Sequence, residues 1–126
     1  MSELTNKLNE LKEAAYRTWS NDCFKPIRRH FKSDETDGEK QTTCLCLVSA
    51  AAYDKMSPED RQAFLNMDSG FGDLAMSVTE REFGLDGPTI TNVIVGFDSC
   101  WDAPDLPEGM LFAKEIADSL EKEGKL

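Results

Sequence analysis

The chain has 126 residues, 40% of them apolar, and carries seven Phe, two Trp and two Tyr at a formal net charge of −10. That length suits one domain with one core, residues 1–126, and so much aromatic surface is too great for a disordered chain even at this charge. No run of about 18 apolar residues occurs to span a membrane, and residues 2–12 are polar and helix-forming, unlike a secretory signal, so a cytoplasmic protein without a membrane partner is expected.

The charge is unevenly placed. Residues 1–40 hold eight Lys/Arg against eight Asp/Glu, whereas residues 41–126 hold six against sixteen. The whole excess therefore lies in the last two thirds of the chain. Such a surface repels nucleic acid and anionic lipid and attracts basic partners.

Taken in chain order, Leu4, Leu8, Leu11, Ala15 and Trp19 recur at spacings of three or four and predict an amphipathic helix over 3–19, with Ser2 as its cap. Residues 23–32 fit either a helical stripe (Cys23, Phe24, Ile27, Phe31) or a strand with Pro26 at its start. The polar run 33–39 with Asp37-Gly38 favours a hairpin tip, and so a strand before it. Thr42 to Val48 reads as a short strand buried on both faces. Ser57-Pro58-Glu59-Asp60 opens a helix that stops before Gly70. A further helix starts near Asp68 or Ser69, with its stripe at Phe71, Leu74, Val78 and Phe83, and ends at Gly84. Asp86-Gly87-Pro88 reads as a break. Thr89 to Phe97 then alternates Val93, Val95 and Phe97 against Ile90 and Ile94, which predicts a strand. After a loop at 98–108, Met110, Ala113, Ile116, Ala117 and Leu120 predict a last amphipathic helix, closed by Gly124. The expected fold is α+β: a small two- to three-stranded, mostly antiparallel sheet packed by N-terminal, central and C-terminal helices.

Several residue patterns bear on chemistry. Gly70-Phe71-Gly72-Asp73-Leu74-Ala75 matches G-x-G-x-x-A, but a helix precedes it and Asp73 would repel a phosphate, so a turn between helices is expected and no nucleotide cofactor. Cys44-x-Cys46 leaves one spacer where structural zinc sites leave two to four. If 43–48 is a strand, both thiols share a face and could chelate with Cys23, His30 or Cys100; buried reduced thiols without metal are the simpler expectation. His30 is the only histidine. It sits among Arg28, Arg29 and Lys32, where neighbouring cations weaken it as a base.

The acidic loop is the sharper candidate. Asp98, Asp102, Asp105 and Glu108 crowd around Trp101. With Trp101 exposed, the arrangement is an aromatic anchor ringed by charge, as interface hot spots are. Arg28 and Arg29 supply the basic edge of such a surface. The small, acidic profile without a catalytic motif is similar in composition to secretion chaperones, toxin-neutralising immunity proteins and phage-borne inhibitors of bacterial defence. The function expected is thus non-enzymatic: an inhibitor, immunity or chaperone-like factor that binds a basic protein through Trp101, Asp98, Asp102, Asp105, Glu108, Arg28 and Arg29. Two alternatives stay open. One is a nucleic-acid mimic using Glu80, Glu82 and Asp86, and the other is a small metal-dependent hydrolase using the 98–108 carboxylates. Exposed faces of the terminal helices could also pair in a homodimer.

Overall fold

A computed structural model describes residues 2–21, 24–28, 31–33, 44–67, 69–98 and 105–126. Helix α1 (Glu3–Asn21) forms where the leucine spacing places it, and the Ser2 hydroxyl caps it by accepting the Thr5 N–H at 3.1 Å. Its inward side carries Leu8, Leu11, Ala14, Ala15, Thr18 and Trp19. Among the described residues three strands of two residues follow: β1 (Lys25–Pro26), β2 (Lys32–Ser33) and β3 (Cys44–Leu45). β3 lies between the other two, parallel to β1 and antiparallel to β2. The segment read as a hairpin tip lies outside the described residues.

The strand expected over 42–48 is cut short by a helix. Cys46 is the N-cap of α2 (Leu47–Lys55), its sulfur accepting from the Ser49 N–H at 3.5 Å. Every residue from Cys44 to Tyr53 is buried. A helix that is apolar all round belongs inside a bundle, and α1, α4 and α5 do pack around α2. Two buried hydrogen bonds fix α1 on this centre: Thr18 Oγ1 donates to Ala50 O at 2.7 Å and Trp19 Nε1 to Leu45 O at 3.0 Å.

Helix α3 (Pro58–Asn66) starts as expected, with the Ser57 hydroxyl accepting the Asp60 N–H at 3.1 Å and Pro58 in the first turn. Helix α4 (Phe71–Phe83) runs between Gly70 and Gly84. The G-x-G-x-x-A pattern has a packing cause here. Gly70 takes φ 76°, and a Cβ on Gly72 would stand 2.9 Å from the Phe31 ring. Phe31 meets Phe71 edge-on, and Lys32 Nζ lies 5.0 Å above the Phe71 ring while donating to Leu65 O at 3.0 Å. The glycines seat the β2 segment on the α3–α4 corner.

The main departure from expectation is α5 (Gly87–Asp98), which occupies the stretch read as the best strand. Asp86, read as part of a break, is the cap. Its side chain accepts the Thr89 N–H at 2.8 Å and its carbonyl accepts the Ile90 N–H at 3.0 Å. Hydrogen bonds from the Thr89 side chain and N–H hold the Asp86 carboxyl below its usual range. Ile90, Val93 and Phe97 are buried, a three–four spacing, while Thr91 and Val95 are exposed. The β-branched residues favour a strand by local propensity. Burial of the helical stripe overrides them.

One substitution separates the two conformations by sign. Thr91→Ala at an exposed helix position should stabilise the protein by about 0.5 kcal/mol. In a strand the same change would destabilise it by up to about 1 kcal/mol. Chemical denaturation of the two proteins reads the sign directly.

Helix α6 (Glu108–Lys122) buries Gly109, Ala113, Ile116, Ala117 and Leu120, and Gly124 at φ 75° closes it. One cluster of buried residues draws on every helix. The α+β expectation is therefore corrected. The described residues are mostly helical, 75% helix in six helices, and the sheet among them is a small mixed one of two-residue strands rather than an antiparallel layer covered by helices. Among the described residues, no helix is long and apolar enough to cross a membrane.

Candidate functional site

Of the residues singled out from sequence, Trp101, Asp102 and Arg29 lie outside the described residues, as do Cys23, His30 and Cys100. Arg28, Asp98, Asp105 and Glu108 are described, and the structure does not gather them into one set. Arg28 Nη2 reaches Glu121 Oε2 at 2.6 Å, near the end of α6. Glu108 is the first residue of that helix, so about 20 Å of helix separates the two. The arginine ties the β1 segment to α6 and lines a small void with Ile94 and Phe97 of α5.

Helices α5 and α6 cross at backbone contact. A Cβ built on Gly96 would stand 2.8 Å from both the Cα and the carbonyl carbon of Met110. One on Gly109 would meet Thr89 O and Val93 Cγ2 at 3.4 Å. Asp98 ends α5, whereas Glu108 precedes Gly109, which meets Thr89 near the start of that helix. Glu108 is further fixed by Thr5 Oγ1, which donates to its Oε1 at 2.8 Å. Asp105 is exposed in the turn before α6.

Cys44 and Cys46 are buried, and Cys46 serves as a helix cap rather than sharing a strand face with Cys44. Burial, with a smaller push from the Asp98 charge, raises the Cys46 pKa, so the group stays a neutral thiol and a poor nucleophile. Asp98 Oδ1 is itself buried without a hydrogen-bond partner. Among the described residues, no group of three His, Cys, Asp or Glu side chains is arranged to hold a metal ion. The trio Glu80, Glu82 and Asp86 is partly committed: Glu82 pairs with Arg81 at 3.6 Å, and Asp86 caps α5.

Around the α5–α6 crossing the surface has an unusual composition. Among the described residues, the large apolar side chains left exposed are Leu111 at 46% and Val95 at 36%, and they flank Met110 and Gly96 in sequence. On α6, Glu108 and Glu115 stand three residues before and four after Leu111, which places all three on one face. Asp98 stands three residues after Val95 on α5. Helix α5 carries no Lys or Arg, and the first cation of α6, Lys114, pairs with Asp118 at 3.6 Å. An exposed leucine between carboxylates can bury apolar surface against a partner while the acids meet its cations. Burying Leu111 is worth about 1–2 kcal/mol, and each exposed ion pair up to about 1 kcal/mol.

Leu111 and Val95 were missed in the sequence. Leu111 falls outside the stripe of Ala113, Ile116, Ala117 and Leu120, so its exposure could have been inferred from the α6 periodicity. Val95 could not be found while residues 89–97 were read as a strand, since alternation places it beside Val93 and Phe97. No protein-family model, no curated protein and no solved structure matches the chain.

Proposed function

We propose that this protein is a non-enzymatic binding factor, of the inhibitor, immunity or chaperone-like kind, that engages a basic protein through the acidic shoulder formed by α5 and α6. The observation that carries the reading is Leu111, 46% exposed and set between Glu108 and Glu115 on one helix face. An apolar anchor supplies contact energy, and surrounding charge steers the partner and selects its sign. The concentration of negative charge in residues 41–126 acts in the same direction over longer range.

The test is quantitative affinity capture with the wild type and with Leu111→Ser combined with Glu115→Lys. Both positions are exposed, so the double variant should keep the wild-type melting temperature. A basic protein should be captured by the wild type at low salt and lost on the double variant. It should also be released in about 1 M salt, where the Debye length falls to about 3 Å. Equal capture by both proteins would remove the α5–α6 shoulder as the site.

A further inference from the structure

The spacing of exposed residues along α6 bears on the shape of a partner. Glu108, Leu111 and Glu115 are exposed, with Leu111 between the two acids. Seven residues of helix bring Glu115 to within about 20° of Glu108 around the axis and about 10 Å along it. Both carboxylates can take a cation. Thr5 Oγ1 donates to Glu108 Oε1 and fixes that side chain, but a carboxylate accepts at about four positions, so capacity remains. Among the described residues Glu115 forms no ion pair. Lys114, the cation between the two acids, is held by Asp118 at 3.6 Å.

The shoulder itself is built of helices. Val95, the other exposed apolar side chain, lies on α5, and the strands among the described residues are the two-residue pieces at 25–26, 32–33 and 44–45. An extended partner laid on α5 and α6 would find no strand edge to pair with. The backbone groups it buried would lose their hydrogen bonds to water. A helix arrives with its backbone already paired. Distance points the same way: same-face residues of a strand fall about 7 or 13 Å apart, whereas positions i and i+7 of a helix match the two acids at about 10 Å. Positions i+3 and i+4 of that helix then lie over Leu111. A second copy of this chain fits poorly, because an isologous contact sets Glu108 and Glu115 against the same acids.

We infer, on the premise that the α5–α6 shoulder is the binding surface, that its partner presents an amphipathic α-helix with cations at i and i+7 and an apolar residue at i+3 or i+4. The apolar residue covers Leu111, and the two cations meet Glu108 and Glu115.

Three peptides, followed by amide chemical shifts in NMR, test the inference. The first is alanine-based and helical, with two lysines seven residues apart and leucines three and four places after the first lysine. The second has the same composition, but its second lysine is moved two places nearer the first and so leaves the shared face. The third is the first with one alanine on the opposite side replaced by proline, which breaks the helix. The first peptide should cause saturable shifts at residues 94–98 and 108–115 and bind several-fold more tightly than the other two. Glu115→Lys, an exposed change that should keep the melting temperature, should weaken it by up to about fivefold, the worth of one exposed ion pair. Exchanging one of the peptide's lysines for glutamate, and not the other, should restore binding to that variant. Equal affinity of all three peptides, with shifts still at the shoulder, would overturn the helical partner while leaving the shoulder as the binding surface. Absence of shifts there with every peptide would overturn both.

Discussion

Gly96→Ala should destabilise the protein by about 3 kcal/mol or more, lowering its melting temperature by about 10 °C. The added Cβ would stand 2.8 Å from Met110 Cα and carbonyl carbon, with the Met110 oxygen nearer still. These are backbone atoms, so no side-chain rotation can clear the space. Helices α5 and α6 must move apart, which opens gaps around the buried residues Val93, Phe97, Ala113 and Ile116. Small domains are stable by only about 5–15 kcal/mol, so the loss is a large fraction of the total. Gly87 is the internal control. It begins the same helix and has no atom within 4 Å of a built Cβ, so Gly87→Ala should change stability by less than about 1 kcal/mol, in the stabilising direction. Urea denaturation of the two variants beside the wild type makes the comparison. Equal effects at both positions would mean that α5 and α6 do not meet at backbone contact.

Phe97→Ala should cost about 3–5 kcal/mol. Phe97 is 1% exposed and stacks on Trp19, so it joins α5 to α1 across the body of the protein. Its removal leaves a hole beside Cys46, Val48 and Ile94, which line a small void with it. Phe97→Leu retains most of the volume and should cost about 1 kcal/mol. The Trp19 indole should also report the change, because its ring loses its stacking partner while its bond to Leu45 O remains. Gly96 and Phe97 are neighbours at one crossing, so their effects should not add. A cost near zero for Phe97→Ala in thermal denaturation would contradict a buried, helical Phe97.

The helices with two independent signals were legible from the sequence. In α1 the leucine spacing and the Ser2 cap agree, and in α3 Ser57, Pro58 and two acids agree. In α4 two glycines mark the ends. The failures came where local preference and tertiary burial disagree. Residues 89–97 are rich in Thr, Ile and Val, and the alternation of Val93, Val95 and Phe97 fits a strand. The spacing of Ile90, Val93 and Phe97 fits a helix equally well. Asp86 and Pro88 could have decided between them as a cap and a first-turn proline, but Asp86-Gly87-Pro88 also has the composition of a break. At 44–48 the apolar run is continuous because β3 passes straight into the buried α2, and a run without periodicity does not distinguish the two.

The proposed binding surface was legible only in part. The crowding of acids at 98–108 drew attention to the stretch that joins α5 to α6. The sequence shows Arg28 in a basic cluster but not its ion pair with Glu121. Leu111 escaped notice because an amphipathic reading weighs the residues on the stripe, and the informative residue stands off it.

The most direct test of the binding surface is amide chemical-shift mapping with a basic amphipathic peptide built of lysine and leucine. Shifts should be greatest at residues 94–98 and 108–115, should shrink as salt is raised, and should vanish on Leu111→Ser. Shifts centred instead on the exposed acids of α3 and α4, such as Glu59 and Asp73, or shifts that survive Leu111→Ser unchanged, would contradict the account.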